Sequence, residues 1–182
     1  MKASLTRFLT RGLKLQVNEQ KSQVAPIEQC VFLGFTLRPG KLRWSAQAFE
    51  LFKHNVRRLT GPTKLGVSMR YRFYKLAQYL RGWMGYFGIS EYCRAVPEIA
   101  EWLRPRVRMC YWKRWPLVRT KVRHLLALSV SKRQAMQTAQ SSKSDWRLSK
   151  SPAIRLGMTH LWLKEQGLIS VRALWMKAHG YA

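Results

Sequence analysis

The chain has 182 residues, of which 34 are Lys or Arg and only 8 are Asp or Glu, giving a net charge of +26. Hydrophobic residues make up 47% of the sequence, enough for a packed core, and no apolar run approaches the roughly 18 residues of a membrane span. These numbers argue against a disordered chain and against a membrane-spanning one, and they predict a polyanionic partner such as RNA, DNA or an acidic membrane face.

The N-terminal residues predict a basic helix over about residues 3–15, with Leu5, Phe8 and Leu9 on one face. Gly12 is expected to loosen the end of that helix. No acid occurs in the first 18 residues, a composition that organellar transit peptides share, so a targeting role is the alternative interpretation.

One β-hairpin is predicted after this helix. Residues 29–37 are rich in β-branched and aromatic side chains, which favours a strand. The Pro39-Gly40 pair predicts a turn, since proline presets φ and glycine tolerates a positive φ. Residues 42–44 can then pair back against the first strand.

After Ser45 the pattern is helical to the end of the chain. Ser45 is a predicted N-cap for a helix over about residues 46–59, and Ser68 is one for a longer helix. The apolar side chains of this longer helix recur at spacings of three and four, from Met69 to Phe87. Three glycines near its end are expected to allow close approach of another backbone: Gly82, Gly85 and Gly88.

A third helix is predicted to begin near Pro97 and to kink at Pro105. Its predicted buried side comprises Ile99, Leu103, Val107 and Cys110. Pro116 opens a further segment through about residue 128, and a short helix over about residues 131–140 is followed by a predicted loop. Two final helices are expected over about residues 160–166 and 171–178, with Thr159 and Ser170 as their caps.

The strongest functional signal comes from two sets of basic residues. The first lies on the Ser68-capped helix, opposite its apolar stripe, and comprises Arg70, Arg72, Lys75 and Arg81. The second lies in residues 104–123, which contain no acid, and comprises Arg104, Arg106, Arg108, Lys113, Arg114, Arg119, Lys121 and Arg123. Arginine pairs bidentately with phosphate, and the self-repulsion of so many cations disfavours a merely solvated face, so both sets are predicted to contact nucleic acid.

Aromatic residues interleave with the second basic set. Tyr111 and Trp112 belong to the predicted contact set because aromatic rings stack on unpaired bases. For Trp112 and Trp115, packing in the core is an equally good interpretation. Adsorption to a membrane is disfavoured, because the apolar stripes are needed for the core.

No catalytic constellation stands out in the sequence. The four histidines lie far apart, the three cysteines are widely spaced, and no Gly-rich phosphate loop occurs between a strand and a helix. The acids are few and include a single aspartate, Asp145, which argues against chemistry on two carboxylate-held metals. The residues by themselves predict a binding protein of a reducing interior.

Several stretches are similar to one known family. Tyr79–Gly88, which reads YLRGWMGYFG, and the basic stretch Trp102–Lys113 resemble the maturase-specific thumb, or domain X, of bacterial group II intron reverse transcriptase/maturases. Leu13–Ser22 looks like the family's segment after the polymerase active site, and Phe32–Phe35 like its last palm block. Trp162–Tyr181 is similar to its endonuclease-free tail.

This resemblance implies a mostly α fold in three parts: a palm remnant with one β-hairpin (1–44), a helical thumb (45–128) and a short helical tail that resembles a DNA-binding one (129–182). Alone, the first part is expected to be partly disordered, with Phe32, Phe35 and Trp44 exposed. The family polymerises with palm carboxylates that include a Tyr-Ala-Asp-Asp motif, which this sequence does not contain. No catalytic residue or metal ligand is therefore carried over, and Mg²⁺ is expected only for the complete polymerase and the intron RNA.

The resemblance also implies partners and three functional hypotheses. The first is a maturase fragment that binds group II intron RNA in the bacterial cytoplasm and assists its splicing, with target DNA as a second partner. The second is the C-terminal half of a split RNA-directed DNA polymerase, completed by an upstream reverse-transcriptase polypeptide. The third is a non-functional remnant of a decayed retroelement.

Overall fold

A computed structural model describes residues 2–18, 25–38, 40–61, 66–91 and 95–181. Within these ranges the protein is mostly helical, with ten α-helices and one three-stranded antiparallel sheet near the N-terminus. This architecture confirms the predicted fold class. None of the helices in the described ranges combines the length and apolar character that crossing a bilayer requires.

The first elements are helix α1 (Lys2–Gly12) and strands β1 (Val31–Phe32), β2 (Phe35–Arg38) and β3 (Lys41–Trp44). Strands β2 and β3 form the predicted hairpin, with Phe35 opposite Trp44. Helix α1 is confirmed, although it ends at Gly12 rather than near residue 15.

The single strand predicted over residues 29–37 is wrong. Leu33 and Gly34 have φ values of +50° and +81°, so the chain turns between β1 and β2 and adds a second hairpin. Residues 27–29 form a 3₁₀ turn instead of the start of the strand. Glycine adopts this left-handed region without steric cost, which makes the Leu33-Gly34 turn possible.

Helices α2 (Ala46–Leu59) and α3 (Met69–Phe87) confirm the predictions. The hydroxyl of Ser45 accepts a hydrogen bond from the Ala48 amide at 3.1 Å, and that of Ser68 accepts one from the Tyr71 amide at 3.2 Å. Both serines therefore act as N-caps and satisfy amides that lack a partner in the first turn.

Helix α4 (Ala95–Arg114) begins two residues before the predicted start and continues through Pro105. Its predicted inner side is buried as expected: Ile99, Leu103, Val107 and Cys110. Helices α5 (Val118–Ala127) and α6 (Lys132–Ala139) follow where the sequence predicts them.

The loop predicted after α6 is wrong, because it contains the short helices α7 (Asp145–Leu148) and α8 (Pro152–Gly157). The missed signal is Ser151 followed by Pro152, a capping residue and a proline in the first turn. The last helices, α9 (His160–Glu165) and α10 (Val171–Ala178), are confirmed together with their caps, Thr159 and Ser170.

Two hydrophobic clusters hold the described residues together. The larger joins α2, α3 and the first part of α4, and it includes Leu163 of α9 and Val171 of α10. The smaller surrounds Trp112 with side chains from α5 to α8. The predicted domain boundaries after residues 44 and 128 stay predictions.

The sheet packs on the larger cluster. Phe35 and Trp44, which were expected to be exposed, are buried, and the Trp44 indole donates a hydrogen bond to the Phe87 carbonyl at 2.7 Å. Phe32 is exposed, as expected. Of the three glycines predicted to allow close approach, only Gly88 is closely packed: an added Cβ there would lie 3.0 Å from Ala178 of α10.

Candidate nucleic-acid interface

The solvent side of α3 combines cations, tyrosines and glycines. Arg70 and Arg81 are exposed and Lys75 is half-buried. The Lys75 ammonium lies 5.8 and 5.7 Å from the ring centroids of Tyr71 and Tyr74, both of which are exposed. Such a surface offers charge to phosphates and ring faces to unpaired bases.

The tyrosines of this side were not among the predicted contact residues. Tyr71, Tyr74 and Gln78 recur at spacings of three and four opposite the apolar stripe, and this is the signal that could have identified them. Further along α3, Cβ atoms added at Gly82 and Gly85 would meet no described atom within 4 Å. A ligand can therefore approach the helix backbone closely at these two glycines.

Arg72 does not lie on this solvent side, contrary to the sequence-based expectation. Its side chain is buried, and Nη1 donates hydrogen bonds to the carbonyls of Leu59 at 2.8 Å and Gly61 at 3.5 Å. These carbonyls belong to the C-terminal end of α2, where a cation is stabilising. Arg72 therefore caps the C-terminal end of α2 and does not face solvent.

Arg106 reaches the same helix end from α4. Its Nη2 and Nε donate to the Thr60 hydroxyl at 3.0 and 3.2 Å, and Nη2 also donates to the Arg57 carbonyl at 3.4 Å. The Thr60 hydroxyl in turn donates to the Val56 carbonyl at 2.7 Å. Burial lowers the pKa of Arg106. Two of the predicted contact arginines thus have a structural role at the end of α2.

Replacing Arg72 with leucine is expected to lower the free energy of unfolding by about 1.5–3 kcal/mol, because two partly buried carbonyls lose a charged donor. Urea denaturation followed by circular dichroism measures this change. The matched control is Arg70→Leu on the exposed side of α3, which is expected to change the stability by less than about 0.5 kcal/mol. Equal effects of the two substitutions would contradict the structural role of Arg72.

The aromatic residues of α4 are part of the core. Trp112 has no exposed surface, and Trp115 is buried with its ring stacked on His124 at a centroid distance of 4.3 Å. Tyr111 is half-buried against Trp162 at 4.9 Å, and burial raises its pKa to about 12. The alternative left open for Trp112 and Trp115 is therefore decided in favour of core packing, since neither ring has a free face for a base.

The remaining cations of this region differ in accessibility. Lys113 lies 3.8 Å from the Asp145 carboxylate, and the Lys121 ammonium lies 4.6 Å from the centroid of the Trp112 ring. Arg114, Arg119 and Arg123 are exposed. Arg114 Nη1 donates to the Val67 carbonyl at 3.5 Å, so the end of α4 lies beside the start of α3.

Arg104 and Arg108 face the C-terminal helices. Arg108 is buried, and its Nε donates to the Met158 carbonyl at 2.8 Å. Arg104 is half-buried and lines the same cavity as Arg108.

The structure thus sorts the predicted contact residues by accessibility. The residues best placed for a polyanion are called the exposed basic set and comprise Arg70, Arg81, Arg114, Arg119 and Arg123. Within the described ranges, no group of three or more His, Cys, Asp or Glu side chains could hold a metal ion.

A comparison with protein-family models matches residues 49–127 to the group II intron maturase-specific domain. The matched region begins in the first turn of α2 and ends at the last residue of α5, so it includes every predicted contact residue. This match confirms the resemblance to the maturase-specific thumb. A search of curated proteins finds no match.

Proposed function

We propose that this chain binds group II intron RNA and assists its splicing, because residues 49–127 match the group II intron maturase-specific domain. The observation that supports this most directly is the position of the exposed basic set within the matched helices α3 to α5. A compact RNA has a high density of phosphates, and cations that replace its counterions gain affinity from counterion release.

The proposed mechanism is non-covalent. Arg70, Arg81 and the exposed arginines at the end of α4 and in α5 neutralise phosphates that repel one another in the folded intron. Tyr71 and Tyr74 contribute ring faces to unpaired bases, which selects single-stranded loops over uniform duplex. The RNA supplies the cleavage chemistry and holds its own Mg²⁺, and the bacterial cytoplasm is the proposed place of action.

A second candidate function is that of a subunit of a split RNA-directed DNA polymerase. The observation that favours it is the apolar edge of the sheet, where Val31, Phe32 and Leu33 expose 57%, 72% and 65% of their surface. An exposed edge strand is a template for pairing with another chain, here an upstream reverse-transcriptase polypeptide. An intact upstream reading frame with the Tyr-Ala-Asp-Asp motif would favour this candidate, whereas a frameshifted one would favour a decayed retroelement.

Crosslinking of the full chain to nucleic acid in its native cells, followed by sequencing of the bound molecules, tests the proposed function. We expect strong enrichment of one structured intron RNA relative to its transcript level. A diffuse distribution over abundant RNAs that follows transcript level would overturn the proposal, because charge alone would then explain the binding. Enrichment of DNA instead of RNA would also overturn it.

A further inference from the structure

A cationic cavity of about 340 Å³ lies between α4 and the segment that runs from the end of α7 into α8. It is lined by Glu101, Arg104, Pro105, Arg108, Lys150 and Arg155. Four cations therefore face one carboxylate. Among the residues that the structure describes, none of these four cations lies within 4 Å of an acidic side chain.

Arg108 is the fixed element of this cavity. Its side chain is only 7% exposed, and the hydrogen bond from Nε to the Met158 carbonyl holds the guanidinium in place. Within the described part of the chain, the terminal nitrogens Nη1 and Nη2 donate to no other residue. A guanidinium with one side anchored and a free pair of terminal donors suits the oxygens of a phosphate.

The charges around Arg108 repel one another. Burial, together with the positive charges of Arg104 and Arg155, lowers the pKa of Arg108 to about 10, so the group is still charged at neutral pH. Like charges that line one cavity are destabilising unless an anion lies between them. The arrangement is therefore suited to a bound anion.

A second cavity, of about 380 Å³, shares Arg104 with the first as a lining residue. Its lining is largely apolar and includes Leu161, Leu168 and Ile169, with Lys164 among its few cations. A free inorganic anion gains no affinity from contact with such a surface, whereas a sugar or an unpaired base can pack against it.

We propose that the cationic cavity binds a backbone phosphate of single-stranded RNA whose adjacent nucleoside packs in the apolar cavity. This inference rests on the proposed function and adds a specific site to it. Because Lys150 and Arg155 lie outside the matched residues 49–127, the site also joins the maturase-specific helices to the C-terminal helices in one contact.

Nuclear magnetic resonance of the arginine side chains tests the site directly. The Arg108 Nε–H group is buried and hydrogen-bonded, so its signal is expected to be protected from exchange. Inorganic phosphate and a short single-stranded oligoribonucleotide are titrated separately into the full chain at constant ionic strength. We expect the oligonucleotide to shift the Arg108 signal at a concentration at least about tenfold lower than inorganic phosphate requires, since it also fills the apolar cavity.

Two results of this titration would overturn the proposal. An unchanged Arg108 signal with both probes would mean that the cavity binds no phosphate. Equal half-saturation concentrations for the two probes would mean a site for free anions rather than for RNA.

A pair of charge-matched variants tests the site in RNA binding. Lys150→Gln with Arg155→Gln removes two exposed cations of the cavity, and Lys132→Gln with Arg133→Gln removes two exposed cations of α6. We expect the cavity variant to bind intron RNA about tenfold more weakly and its log–log salt slope to fall by about one, with a smaller loss for the α6 variant. Equal losses of affinity in the two variants would overturn the cavity site. If the wild type still prefers intron RNA in that case, the proposed function stands. If the wild type shows no preference for intron RNA, the proposed function fails, and the Arg108 titration still decides whether the cavity binds RNA phosphate.

Discussion

Replacing Arg70, Arg81, Arg114, Arg119 and Arg123 together with glutamine is expected to weaken intron-RNA binding about 100- to 1,000-fold at roughly 0.15 M salt. Each of these side chains is exposed and lies within the family-matched residues. Each lost phosphate contact also removes about one unit from the slope of log affinity against log salt concentration. Filter binding at several salt concentrations measures both quantities.

The control for this variant has the same loss of charge elsewhere on the surface. Lys132, Arg133, Lys143, Arg172 and Lys177 are exposed and lie outside the matched residues, so their replacement with glutamine lowers the net charge equally. Both variants are expected to retain the helical circular dichroism of the wild type, because surface substitutions have small effects on stability. An equal loss of affinity in the two variants would mean that net charge, and not the exposed basic set, determines binding.

Replacing Trp112 with alanine is expected to lower the free energy of unfolding by about 3–5 kcal/mol. The ring has no exposed surface and belongs to the cluster formed by α4 to α8, so the substitution leaves a large cavity. Its loss also removes the apolar surface over which Lys121 lies. Urea denaturation followed by circular dichroism measures the change.

Trp112→Phe is the informative companion. The indole nitrogen of Trp112 is buried and has no hydrogen-bond partner among the described residues, so phenylalanine removes an unsatisfied donor while it keeps much of the volume. We expect this variant to be clearly more stable than Trp112→Ala. A Trp112→Ala protein with wild-type stability and lost RNA affinity would instead support base stacking by this ring.

Local signals in the sequence were sufficient to predict where most of the helices lie. The caps Ser45, Ser68, Thr159 and Ser170 and the spacing of apolar side chains depend on residues within one or two turns, and the structure confirms them. The strand over residues 29–37 could not be predicted in this way, because a left-handed turn at Leu33-Gly34 divides it. Composition favours a strand, but it does not reveal such a turn.

The sequence by itself determined the charge, the mostly helical fold and the position of the basic residues along the chain. Only the tertiary structure decided which of these basic residues remain exposed to bind a polyanion. Arg70 and Arg72 lie two positions apart, about 200° around the helix, so one faces solvent and the other meets the end of α2. Arg108 and Arg155 line one cavity although 46 residues separate them, because the contact of α7 with α4 and the hydrogen bond from Arg108 to Met158 bring together charges that no local pattern relates.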